Sequence, residues 1–170
     1  MAVFYGVVSG VVGAYVIQSD RVETTERVTQ SAASFARLLE EHVNRTLDAA
    51  EMTALRVGER VLAHPPEDGL GDMLGAAPHL VNVVVVDPAG RVLADARGAH
   101  HAGEDLSGRP WVRALRDGAR AGAVIGAAGF DEASRRYVFP VARRIRDGGG
   151  SVAGLAAALV DVDYFKRFYQ

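Results

Sequence analysis

The chain has 170 residues, a formal net charge of −2 and no cysteine. This length suits one domain with a core plus an appendage, and a hydrophobic content of 49% argues against general disorder. The balanced charge excludes a global basic field for nucleic acid, and the lack of cysteine excludes a disulfide scaffold, a cysteine-ligated metal and a thiol nucleophile.

The chain begins with an uncharged stretch, residues 1–19, in which only Ser9 is polar between Ala2 and Ile17. The run is slightly short of the roughly 20 residues that span a bilayer core. It also lacks the basic start and the A-x-A-like exit of a signal peptide. We predict a partial transmembrane segment over 1–19, with a buried core segment and a signal peptide as the alternatives.

Residues 20–64 predict one long amphipathic helix. Apolar residues recur at steps of three and four from Val28 to Val61, and charged residues occupy the opposite face. Such a helix is about 65 Å long at 1.5 Å per residue. Because this exceeds the usual length of a globular helix, we interpret it as a stalk or dimerisation helix.

Residues 65–170 predict a separate globular module. A proline pair ends the long helix, and a short helix is expected over 70–77. The β-branched run 79–87 and the run 91–95 predict two strands. The Asp-Pro-Ala-Gly sequence between them predicts a hairpin turn, because aspartate accepts turn amides, proline fixes φ and glycine supplies positive φ.

The second half of the module predicts a helix and three more strands. The helix is expected from Ser107 to about Asp117, and the strands at 123–130, 135–146 and 151–162. The last strand is rich in small residues, so another element should pack closely on it.

Three local features carry further expectations. Pro140 within a strand indicates a bulge or an edge position, because proline cannot donate a ladder hydrogen bond. Asp163 is expected to cap a final helix. His100, His101 and Glu104 resemble a metal-ligand set, but adjacent histidines rarely reach one ion together. We therefore predict neither a metal site nor a cofactor.

The order of these elements resembles that of a Cache domain, an α+β module in which a long N-terminal helix precedes a PAS-like antiparallel five-stranded sheet flanked by helices. Cache domains are extracytoplasmic sensors of bacterial histidine kinases, diguanylate cyclases and chemoreceptors. The resemblance covers residues 20–170 and rests on four segments together: VVVDPAGRVL (84–93), DLSGRPWVRA (105–114), YVFPVARRI (137–145) and GLAAALVDVDYF (154–165). Many double-module members continue past a motif like Tyr164-Phe165, so we expect a first unit cut off before a second one.

The resemblance implies a ligand pocket between the sheet and the helix that begins near Ser107. Amino-acid-binding members use an R-x-W-aromatic element for the ligand carboxylate. Arg109 and Trp111 match its first part, and Val112 stands where a second aromatic is expected.

The same members use acidic residues for the ligand amine. Asp131 and Asp161 are similar to these two acids, whereas Gly129 stands where a tyrosine is expected. Tyr137, at the start of the fourth strand, completes the candidate ligand-binding residues. Val112 and Gly129, which depart from the pattern of the amino-acid-binding members, weaken the case for an α-amino acid as the ligand.

The residue chemistry supports part of this site independently. A guanidinium such as that of Arg109 matches a carboxylate bidentately. Trp111 would supply an apolar wall or a cation–π face, or else belong to the core. Asp161 needs a cationic ligand group or an arginine if it is buried. As alternatives, Arg109 pairs with Asp161 or caps backbone carbonyls. A solvated strand face, or an anion-binding patch, is expected for Arg135, Arg136, Arg143 and Arg144.

No P-loop, nucleophile elbow, zinc-protease motif or dinucleotide fingerprint occurs, so we do not expect an enzyme. We predict a periplasmic or other extracytoplasmic ligand-sensing domain of a bacterial receptor, held in the inner membrane through its N-terminal helix. It is expected to be a homodimer that binds a small organic anion or amino-acid-like ligand and no nucleic acid. The alternatives are a ligand-free structural module and a membrane-tethered solute-binding protein.

Overall fold

The computed structural model describes residues 27–64, 69–75, 77–118 and 122–168. The predicted transmembrane segment over 1–19 lies outside the described residues. Within the described ranges, none of the helices combines the length and the apolar character needed to cross a membrane. The chain divides into two units, residues 1–41 and 42–170.

The long helix is present as α1, Arg27–Ala63, whose residues from His42 onward belong to the second unit. In that unit its apolar face is buried at Ala50, Ala54 and Val57. A Cβ on Gly58 would overlap Ile145 and lie 3.2 Å from the Cβ of Ala156, so α1 packs closely on the small residues of the last strand, as predicted. The first described part of the prediction, residues 27–41, is helical throughout.

The second unit is built on one antiparallel sheet, which confirms the α+β fold. A 3-10 turn, Leu70–Leu74, precedes the sheet. The strands are β1 Leu80–Val86, β2 Val92–Asp95, β3 Val124–Ile125, β4 Gly129–Asp131, β5 Arg136–Arg146 and β6 Val152–Asp161. The strand order is β2-β1-β6-β5-β3, and β4 also pairs with β5. The remaining helices are α2, Pro110–Asp117, and α3, Val162–Phe168.

The single third strand predicted over 123–130 is wrong, because Pro140 divides it into β3 and β4. The carbonyl of Pro140 accepts a hydrogen bond from the Gly126 amide at 2.9 Å. The backbone nitrogen of Pro140 also faces Gly126 but carries no hydrogen, so it cannot donate the second hydrogen bond of the pair and the ladder stops there. Pro140 therefore lies at a break between two short strands, rather than at a bulge or in an edge strand. A Cβ on Gly126 would also press on the proline ring, 3.1 Å from its Cδ.

The sheet is covered on both faces. The α1 face packs α1 and the 3-10 turn against one set of strand residues, and the α2 face packs α2 against the other. In β1 the side chains alternate, so that Val83 and Val85 lie on the α1 face while Val84 and Val86 lie on the α2 face. This double burial explains why every residue of β1 except Asn82 is apolar.

Candidate ligand-binding site

The segment before α2 is fixed against the first hairpin. Asp105 accepts a hydrogen bond from the Ser107 amide at 2.8 Å, and the amide of Leu106 donates to the carbonyl of Gly90 at 2.8 Å. The helix then begins at Pro110, three residues later than predicted, because proline suits the first helical position. Arg109 becomes the residue that precedes the helix, with extended backbone (φ −68°, ψ 136°).

The two side chains of the R-x-W element lie in different environments, Arg109 in solvent and Trp111 in the core. Arg109 is exposed, and its guanidinium makes no hydrogen bond or ion pair with any other described residue. It therefore neither pairs with Asp161 nor caps carbonyls within the described ranges. Trp111 is 7% exposed and packs in the cluster of the α2 face, so it belongs to the core. A role for Trp111 as a ligand wall stays a prediction.

Asp161 is the most buried carboxylate of the described chain, at 2% exposure. Its Oδ2 accepts a hydrogen bond from Arg136 Nη1 at 2.9 Å, and Arg167 Nη2 lies 3.8 Å from the same oxygen. Its Oδ1 accepts a hydrogen bond from the backbone amide of Asp163 at 2.9 Å. Helix α3 begins at Val162, directly after Asp161. Asp161 therefore caps α3, and the prediction that Asp163 does so is wrong.

Asp131 is also buried, and it organises the turn between β4 and β5. Its Oδ2 accepts hydrogen bonds from the amide and the hydroxyl of Ser134, at 2.9 Å and 2.6 Å. Arg135, in the same turn, takes the left-handed conformation with φ 55°. Both predicted acids thus have donors from the protein itself.

The two acids lie on the same face of the sheet. Asp131 is paired with Arg136 across β4 and β5, and Asp161 is paired with Val138 across β6 and β5. Paired residues share a face, and so do residues two apart on a strand. Val138 belongs to the α2 face, so all four residues do. The helix that Arg109 precedes packs on this face as well.

Arg136 is the residue that sequence reasoning missed. Its side chain is 57% exposed, as the expected solvated strand face requires, but it also donates to the buried carboxylate of Asp161 from the strand between the two acids. The alternation of the strand indicates that Arg136 shares a face with Val138. It does not indicate the partner, Asp161, which is 25 positions away in sequence.

Tyr137 is not brought together with the acids. Because it follows Arg136 directly, its side chain points to the α1 face. There it is 58% exposed and makes an edge contact with Phe130 at a centroid distance of 5.4 Å. Its role in ligand binding stays a prediction.

Arg143 and Arg144 of β5, by contrast, are partly buried and have protein partners. Arg143 forms an ion pair with Glu51 of α1, whereas Arg144 Nε donates to the carbonyl of Leu115 at 2.6 Å and its Nη2 donates to that of Gly118. Adjacent residues of one strand therefore hold α1 on one face and the end of α2 on the other.

A metal centre finds no support in the described part of the chain, where no three histidine or acidic side chains are grouped to hold an ion. His100 Nδ1 instead lies 3.1 Å from Glu104 Oε1. This hydrogen bond lowers the pKa of Glu104. The pair closes the loop that follows β2.

No family model and no curated protein matches the chain. The extracellular domain of rpHK1S-Z16, described as a histidine kinase, is 23% identical with a TM-score of 0.70, over 84% of this chain and 62% of that one. The sensor domain of the V. cholerae histidine kinase DctB is 10% identical with a TM-score of 0.59, over 85% and 60%. The ligand-binding domain of the Pseudomonas fluorescens chemoreceptor CtaA, in complex with L-serine, is 12% identical with a TM-score of 0.64, over 83% and 62%.

The fold is that of Cache-type sensor domains. The resemblance inferred from the sequence is therefore confirmed at the level of the fold. The chain spans about three fifths of the length of each of these three domains.

Proposed function

We propose that the chain is an extracytoplasmic sensor module of a bacterial membrane-bound receptor, which binds a small organic anion or amino-acid-like ligand at its α2 face. The observation that carries the proposal is Arg109, an exposed guanidinium without a protein partner among the described residues, next to a segment that is firmly held. Its planar donor fork suits a carboxylate. The fold shared with sensor domains, one of them bound to L-serine, supports a binding rather than a catalytic role.

The partners of the two acids favour an anion over an amino acid. A ligand amine would have to compete with Ser134 at Asp131 or with Arg136 at Asp161. A carboxylate at Arg109 displaces no described contact. Because both acids already have donors from the protein, a second candidate function is a ligand-free structural or dimerisation module.

A thermal-shift screen with amino acids, short carboxylates and polyamines tests the proposal and separates the two candidates. A ligand at a hundredfold excess over its Kd raises the free energy of unfolding by about 2.7 kcal/mol. We expect short carboxylates to give the largest shifts. Stabilisation by polyamines alone would contradict an anion site, and a screen without any shift would favour the ligand-free module.

We further propose that the module is tethered to the inner membrane through residues 1–19 and is a homodimer along α1. The apolar stripe from Val28 to Val61 is about 50 Å long at 1.5 Å per residue, while five strands span only about 24 Å. The part of the stripe that such a sheet cannot cover meets lipid, water or a second chain. A second copy supplies an apolar surface at roughly 25 cal/mol per Å² of apolar area.

Single cysteines test the dimer cleanly, because the chain has none of its own. In the membrane-embedded protein, cysteines at Ala32, Phe35 and Leu39 should cross-link to their own copies, because they recur at helical spacing on the apolar stripe. Arg37 and Glu40, on the charged face, are the matched control positions and should cross-link poorly. A uniform profile over all five positions would rule out a helix seam.

The proposed relay from ligand site to α1 runs through β5. Arg144 holds the carbonyl end of α2, and the adjacent Arg143 holds Glu51 on α1. A ligand that moves α2 would therefore change the position of β5 relative to α1, provided that it binds the two arrangements with different affinity.

A double-mutant cycle between Glu51→Gln and Arg144→Met tests this relay. The two contacts lie on opposite faces of the sheet, and independent sites add within about 0.3–0.5 kcal/mol. We expect a departure from additivity above about 1 kcal/mol in the free energy of unfolding, measured in urea. Glu59→Gln, at an exposed position of the same helix, is the control and should be additive with Arg144→Met. Additivity in both cycles would refute the relay.

A further inference from the structure

Three titratable rings meet where α3 leaves the sheet. His42 lies on α1, His79 directly precedes β1, and Tyr164 lies on α3. The ring of Tyr164 is stacked on His42 at a centroid distance of 6.1 Å, and it lies 5.7 Å from the ring of His79. The cluster therefore joins the helix that enters the second unit to the helix that follows its last strand.

His79 is poorly suited to carry a charge in this position. Its Nε2 is buried and has no hydrogen-bond partner among the described residues. Its backbone carbonyl accepts the amide of Asp161 at 2.9 Å, so the residue is held at the end of β6. Burial lowers the pKa of His79, and the charge of the neighbouring His42 lowers it further.

The carboxyl groups near the cluster at the end of β6 and on α3 have partners outside the cluster. Asp161 is paired with Arg136, and the hydrogen bond from Lys166 to Asp163 lowers the pKa of that carboxyl group. Glu41 and Arg45, which flank His42 on α1, have interactions of their own. The ionisable groups next to the cluster on the packed elements include Glu41, His42 and Arg45 on α1, Asp161 at the end of β6, and Asp163, Tyr164, Lys166 and Arg167 on α3.

We propose that His79 is a proton-sensitive latch, which holds α3 against α1 and the start of β1 while it is neutral and releases α3 when it is protonated. A buried imidazolium without an acceptor, next to a second histidine, is costly, and opening of α3 returns the ring to water. The latch makes proton concentration an input that does not depend on the ligand site at Arg109.

The direction of the pH dependence follows from the pKa of His79. Because this pKa is lower in the folded protein than the ordinary value of about 6.5, protons bind more tightly to the open form. The stabilisation by the latch is complete above about pH 6.5 and is lost as the pH falls from there to the folded-state pKa. Below the folded-state pKa no further loss is expected from this residue.

Amide hydrogen exchange of the full 170-residue chain between pH 7.5 and 5.5 tests the latch. After correction for the intrinsic exchange rate, the amides of α3 should exchange up to about tenfold faster per pH unit within the titration window. His79→Phe keeps a ring against Tyr164 but cannot be protonated, so its α3 should stay protected at both pH values. His101→Gln, at an exposed loop histidine, is the matched control and should respond like wild type.

Two results would overturn the latch: exchange of α3 in wild type that does not change with pH, or a pH response that survives in His79→Phe. If His79→Phe does not fold, NMR titration of the His79 ring in wild type decides the question. A pKa at or above 6.5 for that ring would overturn the proposal, and a lower pKa coupled to exchange of α3 would support it.

Discussion

Arg136→Met should lower the free energy of unfolding by about 2–3 kcal/mol. The carboxylate of Asp161 is almost wholly buried, and Arg136 donates to it at 2.9 Å. Removal of one partner from a buried ion pair leaves a charge without compensation, which typically costs about 3–5 kcal/mol. We expect less here because Arg136 is itself more than half exposed and Arg167 lies 3.8 Å from the same oxygen.

Urea unfolding of two further variants separates the charge from the packing. Arg135→Met, at the adjacent exposed arginine, is the matched control and should remain within about 0.5 kcal/mol of wild type. Arg136→Met combined with Asp161→Asn should be more stable than Arg136→Met alone, because the buried group is then neutral. The asparagine oxygen can still accept the amide of Asp163. Equal losses at positions 135 and 136, or no recovery in the double variant, would contradict this account.

The first hairpin could be predicted because its causes are close together in the sequence. The β-branched run forms β1, and the side chain of Asp87 accepts a hydrogen bond from the amide of Arg91 at 2.9 Å in the expected turn. Gly90 has the positive φ, 97°, that the turn requires. Turn chemistry and alternation act within a few residues, so one sequence is enough to reveal them.

The division of the third strand could not be predicted, because its cause lies on another strand. Pro140 interrupts the ladder at Gly126, and this pairing depends on the register of β5. The partners of Arg143 and Arg144 could not be predicted for the same reason. Arg143 reads as solvated on an alternating strand until its partner, Glu51, is known to lie across the α1 face, 92 positions away.

The candidate site could be predicted only in part. Asp131 and Asp161 share the α2 face because of strand register, and a single step along β5 sends Tyr137 to the other face. Alternation gives relative sides within one strand, but only the pairing of strands relates one strand to the next. The protein donors that both acids already have lie at positions that sequence spacing did not indicate.

Arg109→Ala should weaken ligand binding by about thirtyfold or more while it leaves the fold almost unchanged. The loss of a charged group from a desolvated contact costs about 2–5 kcal/mol of binding free energy. Substitutions of surface residues that make no special contact change stability by only about 0.5 kcal/mol. Arg109 belongs to that class in the free protein, because its guanidinium is exposed and has no partner in the described ranges. Arg109→Ala should therefore lower the affinity for the ligand without a comparable loss in the free energy of unfolding.

Calorimetric titration with the best carboxylate from the thermal-shift screen provides the measurement. Arg113→Ala removes another exposed arginine, four residues later and within α2, and should bind like wild type. Arg109→Lys should recover only part of the affinity, because an ammonium group keeps the charge but lacks the planar donor fork. Equal affinities for wild type and Arg109→Ala would exclude Arg109 from the site. Equal losses at 109 and 113 would indicate that the ligand responds to the general positive charge of α2 rather than to a carboxylate fork.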